Sequence, residues 1–95
     1  MAGGWVYIMT NQCNGTLYIG VTADLARRVT EHRDGTVQGF THRYGLKRLV
    51  YAEPFEDIRL AIQREKTMKR WPRAWKIRTI ETRNPDWEDL YSQLI

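Results

Sequence analysis

Two short apolar runs near the start of the chain, Val6-Tyr7-Ile8 and Tyr18-Ile19-Gly20, flank the dipeptide Asn14-Gly15. Apolar runs on either side of Asn-Gly signal two antiparallel strands joined by a hairpin. A two-residue turn at Asn14-Gly15 sets Tyr18 opposite Asn11. Because side chains alternate along a strand, Tyr7 and Tyr18 then project from one face. Trp5, Thr16 and Gly20 share that face, while Val6, Ile8, Leu17, Ile19 and Val21 form an aliphatic set suited to a core on the other. A bulge would break this parity. Tyrosine is also a common strand residue, so packing alone is sufficient to account for the pair taken in isolation.

Beyond the hairpin, Thr22 and Asp24 supply helix-start chemistry and Asp34-Gly35 a stop, predicting a helix over residues 24–33. Leu25, Val29 and His32 fall on one side of it, and Arg28 falls beside Leu25, one turn before His32. Residues 34–45 read as a loop whose Thr41, His42, Arg43 and Tyr44 are candidate substrate contacts. Residues 46–51 read as a third strand, ended by Pro54. A second helix is expected over 56–70, acidic at its start and basic at its end, with an apolar stripe of Ile58, Ala61, Ile62 and Met68. Glu65 falls near the centre of that stripe, where packing alone would call for a leucine. It reads either as the partner of an arginine such as Arg28 or as a metal ligand.

Pro72 opens a further helix to residue 82, with Trp75, Ile77 or Arg78, and Ile80 partly buried. Asn84-Pro85 breaks it, and residues 86–94 form a last short helix carrying Trp87, Leu90 and Tyr91. This order of elements gives an α+β fold, a small three-stranded antiparallel sheet with packed helices. The 95 residues fit one domain spanning 1–95.

Fifteen basic residues against 11 acidic ones leave a formal charge of +4. The excess gathers in residues 59–83, where nine lysines and arginines face only Glu65 and Glu81. Such a stretch suits a polyanion, though a solvated helical face is the commoner fate of a charge run. Trp71 and Trp75 among these basic residues fit either base stacking or the core. Cys13 is the only cysteine, which excludes an internal disulfide, and no Cys/His set of metal-binding spacing surrounds it. With no signal-peptide pattern and no apolar stretch long enough to span a bilayer, the expected location is the cytoplasm.

The ordered set Val6-Tyr7, Tyr18-Ile19-Gly20, Arg28 ten residues after Tyr18, His32 and a helical Glu65 resembles the GIY-YIG nuclease domain. The closing run Asn84-Pro85-Asp86-Trp87-Glu88-Asp89-Leu90-Tyr91 is similar to that of the family's short single-domain branch. The resemblance implies hydrolysis of a phosphodiester in nucleic acid, DNA foremost, by an activated water and one divalent cation, Mg2+ or Mn2+. Glu65 would hold the metal and Arg28 the scissile phosphate, for which a planar, permanently charged fork is suited. Tyr7 would act as the general base or orient the water, with Tyr18 beside it. A free phenol is only about one thousandth ionised at neutral pH, so the site would have to lower its pKa. His32 would relay a proton or bind phosphate, its plainer reading being a hydrogen-bonded core residue. Arg27, Arg43, Lys69 and Asn84 complete the set as substrate-binding candidates.

The chain departs from the family pattern in carrying Trp5 where the first motif opens on glycine, and Val21 where many members have lysine. Asn84 is the candidate for the family's later asparagine. A nucleic-acid-binding module without catalysis, or a protein-interaction module anchored on Trp71, Trp75 and Trp87, are the competing readings.

Overall fold

The computed structural model describes residues 2–36, 39 and 43–94. Strands β1 (Gly4–Thr10), β2 (Leu17–Thr22) and β3 (Arg48–Phe55) form an antiparallel sheet in the order β2-β1-β3. Helices α1 (Leu25–Asp34), α2 (Ile58–Lys69) and α3 (Arg73–Arg83) pack around it, and a 3-10 turn at Leu90–Gln93 closes the described chain. The α+β architecture with a three-stranded antiparallel sheet is therefore as expected.

The hairpin register differs from a two-residue turn. Tyr18 lies opposite Met9 rather than Asn11, Tyr7 opposite Gly20, and Val6 opposite Val21. The strands end earlier because residues 11–16 make a longer loop. In it the Gly15 N–H donates to the Gln12 carbonyl at 2.9 Å, and the Asn11 side-chain oxygen accepts from Thr16 N at 3.1 Å. Asn14 does adopt the left-handed conformation expected of it, with φ 57°, but inside this loop. A shift of two residues leaves every side chain on its expected face, whereas a shift of one would have reversed them all. Val6, Ile8 and Ile19 thus enter one core cluster, and Tyr7 and Met9 the other.

The sheet's one irregularity lies between β1 and β3, at Ile8/Met9. There β3 gains a residue, so that the consecutive Val50 and Tyr51 both join the first cluster with Ala61, Met68, Ile80 and Trp87. The hairpin, on the other side of β1, keeps its parity. Leu49, beyond the bulge, turns to the opposite face and packs with Tyr7, Met9, Leu25, Val29 and Leu46. β3 also runs through Pro54, which pairs with Trp5, instead of ending there. On an edge strand a proline's missing N–H need not remove a ladder bond.

Helix α1 begins and ends as its sequence dictates. Asp24 accepts from Arg27 N at the start, and Gly35 closes the helix in the left-handed conformation at φ 75°. Asp57 caps α2 in the same way, accepting from Arg59 N. On α2 only Ala61 and Met68 of the expected stripe are fully buried, and Ile62 is 37% exposed. The inward face is narrower than the sequence suggested, and it packs chiefly over β1 and β2. On α3, Ile80 is buried, Ile77 is half-buried, and Trp75 is 49% exposed, so Trp75 belongs to the surface. Arg73 ties the start of α3 to the hairpin loop by donating from Nη2 to the carbonyls of Asn14 and Gly15 at 2.7 and 2.6 Å. In the expected loop 34–45, the Arg43 N–H donates to the Gly39 carbonyl at 2.9 Å. Thr41 and His42 lie outside the described residues.

The last segment is held by Asn84, which is buried. Its Nδ2 donates to the carbonyls of Val50 and Glu88 at 3.1 and 2.9 Å, while its Oδ1 accepts from Glu88 N at 2.9 Å. With its amide committed to backbone in this way, Asn84 has a structural role, and the substrate contact expected of it is not what its geometry provides. Trp87, fully buried at a positive φ of 55°, is fixed by its Nε1 donating to Glu81 at 2.8 Å and its N–H to the Asn84 carbonyl. Replacing Asn84 by alanine orphans buried backbone groups on two elements. The expected cost is about 2–4 kcal/mol, read as a lower urea midpoint at unchanged denaturant slope.

Candidate active site

Tyr7, Tyr18 and His32 form a triangle of rings over the hairpin face that α1 covers. Ring centroids are 6.2 Å apart for the two tyrosines, 5.7 Å for Tyr7 and His32, and 5.6 Å for Tyr18 and His32. The Tyr7 hydroxyl and His32 Nε2 share a hydrogen bond of 3.0 Å, and Tyr18 is a close polar neighbour of the Tyr7 phenol. The three groups therefore make one compact cluster, with the Tyr7–His32 hydrogen bond inside it.

Gly20 makes this possible. It sits across the ladder from Tyr7, and a Cβ there would lie 2.5 Å from the end of the Tyr7 ring and 2.9 Å from a Tyr18 ring carbon. The glycine is thus a steric requirement of the tyrosine pair, a reason not visible before the register was known.

Tyr7 is 2% exposed and Tyr18 half-buried. That ordering corrects the expectation that Tyr7 itself faces the attacking water. Burial, first, and then the neighbouring Tyr18 push the Tyr7 phenol above its ordinary value of 10.0. Arg28 pulls it down, and Glu65 adds a further upward push. Burial thus favours the neutral Tyr7 phenol over the phenolate. His32 is 3% exposed. Its pKa falls below 6.5, through burial and then the Arg28 charge, against a smaller opposing influence of Glu31. At neutral pH His32 is uncharged, so the Tyr7 hydroxyl can donate to Nε2 while the imidazole proton resides on Nδ1.

Arg28 lies on the same inward face of α1 as Leu25, Val29 and His32, with its side chain 42% exposed. Its Nε is 3.7 Å from Glu31, whose other oxygen is 3.5 Å from Nε of Arg27, itself 77% exposed. Glu31 was not among the expected site residues. Its spacing of four from Arg27 and three from Arg28 was the available signal. These three side chains, with Val21, Thr22, Asp24 and Ile58, line an open cleft of ≈ 470 Å³ at the end of β2.

Glu65 does not pair with Arg28 among the described contacts. Its Oε2 is 3.1 Å from Nζ of Lys69, one turn along α2, and its side chain is only 14% exposed. Among the described residues no group of three or more His, Cys, Asp or Glu could jointly hold a metal. Glu65 is therefore a single, shielded hard oxygen donor whose charge is met by Lys69. Arg43, by contrast, is exposed, its guanidinium 5.6 Å from the Tyr44 ring.

The model of the family described as the GIY-YIG catalytic domain matches residues 3–78, a span that holds Tyr7, Tyr18, Arg28, His32 and Glu65 and stops short of Asn84. Among curated proteins, the chain is 35% identical over 79 residues to a UPF0213 protein of Natronomonas pharaonis, covering 83% of this chain and 92% of the relative. A UPF0213 protein of Clostridium perfringens is 35% identical over 81 residues, 84% of this chain and 85% of the relative. One of Staphylococcus aureus is 34% identical over 84 residues, 87% and 100% respectively. No solved structure matches.

The lowered His32 pKa has a consequence for stability. The unfolded chain takes up this proton near 6.5 and the folded one only at lower pH, so the unfolded state is favoured as protons are added. Stability is complete above pH 6.5 and declines below it until folded His32 itself protonates. Urea denaturation of wild type and His32→Gln across this range is expected to show the decline in the wild type only, with the His32 titration followed by NMR.

Proposed function

From the premise that this chain belongs to the GIY-YIG catalytic-domain family, we propose that it is a nuclease that hydrolyses phosphodiester bonds in DNA with the aid of one divalent cation. The observation that carries the reading is the cluster of half-buried Tyr18, buried Tyr7 and neutral His32, with the 3.0 Å Tyr7–His32 hydrogen bond inside it and Arg28 and Glu65 acting on it.

Each residue then has a task its surroundings suit. Tyr18 meets the attacking water, and as the water's oxygen bonds to phosphorus its proton passes to the Tyr18 oxygen. The Tyr18 proton moves to Tyr7, and the Tyr7 proton to Nε2 of His32. No phenolate has to persist, because the acceptor at the end of the chain is an imidazole kept neutral by burial. This removes the need for a strongly depressed phenol pKa. Arg28 holds the phosphate and stabilises the charge that develops as the bond to the leaving sugar oxygen breaks, that oxygen taking its proton from solvent water. Glu65 would hold the cation, Mg2+ or Mn2+, with Lys69 beside it. When bound, such a cation adds charge neutralisation on the phosphate oxygens and acidifies a coordinated water. Among the described residues no helix is long and apolar enough to cross a membrane.

The basic stretch on α2 and α3 and the single carboxylate also fit a nucleic-acid-binding module without catalysis. The two readings separate on purified protein with single-stranded, duplex and branched DNA in Mg2+ or Mn2+. Catalysis predicts cleavage that Glu65→Gln abolishes and that Tyr18→Phe slows about 100- to 10,000-fold. Binding alone predicts no cleavage, with affinity unchanged or raised in Glu65→Gln. The rate of a nuclease with this relay falls across the range, lying below pH 6.5, in which folded His32 takes up its proton and can no longer accept one. A rate independent of pH through that range would remove His32 from the relay.

A further inference from the structure

The basic residues of α2 and α3 are not spread evenly over the surface. Lys69 and Lys76 stand at the rim of a groove of ≈ 310 Å³ whose remaining lining is Leu17, Tyr18 and Ile19 of β2. Leu17 and Tyr18 are half-buried, so the floor is apolar and accessible while the rim is cationic. Helix geometry explains how Lys76 comes to be there. Arg73, Lys76, Ile77 and Ile80 are spaced three, four and seven apart, and so share one face of α3. Arg73 bonds to the hairpin-loop carbonyls at one end of that face and Ile80 is buried at the other. Lys76 is thereby held over the start of β2.

This groove is lined by Tyr18 and by Lys69, whose Nζ pairs with Glu65. The Arg27–Arg28 cleft lies at the other end of the same strand, lined by Val21 and Thr22. β2 is an edge strand, so both recesses lie along one border of the sheet. A phosphate-bearing strand laid along that border meets arginine at one end, Tyr18 between, and lysine at the other.

Resting on the nuclease reading, we propose that the Leu17–Tyr18–Ile19 groove receives an unpaired nucleotide of the substrate strand, its base against the apolar floor and its phosphate between Lys69 and Lys76. The groove's volume matches a small ligand and not a stacked pair of bases. The outer surface of a duplex offers phosphates and sugars alone, which would engage the lysines but leave the floor empty. A nucleotide freed from its partner fills both, since every base has an apolar face and stacking on an aromatic side chain tolerates any sequence. The substrate class is accordingly DNA with single-stranded character beside the scissile bond, such as an overhang, a flap or a gap.

The test is fluorescence anisotropy in EDTA, where binding is read without cleavage, on a blunt duplex and on the same duplex with a short single-stranded extension carrying 2-aminopurine. Wild type is expected to bind the extended duplex at least ten-fold more tightly and to quench the 2-aminopurine. Lys76→Met, a helix-surface change whose folding circular dichroism checks, is expected to lose most of that preference. Its salt slope on the extended duplex should fall by about 0.7, one single-strand phosphate contact, with blunt-duplex affinity unchanged. Equal affinity for the two duplexes, or equal loss on both in Lys76→Met, overturns the groove assignment. If the wild type nonetheless cleaves DNA in Mg2+ or Mn2+, the nuclease reading stands without it. Absence of both cleavage and binding overturns the two together.

Discussion

The site depends on one steric fact, that position 20 has no side chain. Tyr7 crosses the ladder onto Gly20, where a Cβ would be 2.5 Å from the phenol end. Because that space is open, the Tyr7 ring can lie down over β2, reach His32 at 3.0 Å and bring Tyr18 into the same group. The antiparallel register, the caps that fix the length of α1, and the aliphatic face that seats the sheet all serve to keep these rings at this spacing. A methyl group at position 20 would act on all of them through one contact, since a close-packed core has no slack in which to move a tyrosine.

The fold was largely legible because its signals are local. Alternation placed the right residues on each face of the hairpin, and Asp24, Gly35 and Pro72 marked helix ends where they occur. What failed at this level were features decided by distant partners. The hairpin loop is longer than Asn14-Gly15 alone implies because Asn11 and Gln12 also close it. Pro54 remains in β3 because that strand is at an edge, which only the complete sheet reveals. Asn84 looks like a polar residue available for chemistry until the Val50 and Glu88 backbone groups that occupy its amide are in place.

For the candidate site, the sequence singled out several residues that the structure places together, but not their order of depth. Helical spacing singled out Arg28, His32 and Glu65, and strand alternation paired the tyrosines. Which tyrosine faces outward is a question of depth, and periodicity carries no information about depth. The structure buries Tyr7 and leaves Tyr18 half-exposed. The same burial raises the Tyr7 pKa and lowers that of His32. Desolvation opposes charge on both, and so favours the neutral phenol and the neutral imidazole that a proton-passing chain requires.

The valine at position 21 takes on a different meaning in this setting. Val21 pairs with Val6 and packs against the aliphatic core, on the face opposite Tyr18 and Gly20. A lysine there would start from the wrong side of the sheet and would have to curl around the β2 edge to act on the tyrosines. This chain fills that position with core and draws positive charge from its helices instead, Arg28 from α1 and Lys69 from α2. Neither is freely mobile, since Glu31 engages the first and Glu65 the second, so each cation is near the tyrosines but balanced by a carboxylate. Arg28 lowers the Tyr7 pKa while Glu65 raises it, and burial exceeds both. The resting site is thus electrically quiet, each of these charges being paired with one of opposite sign.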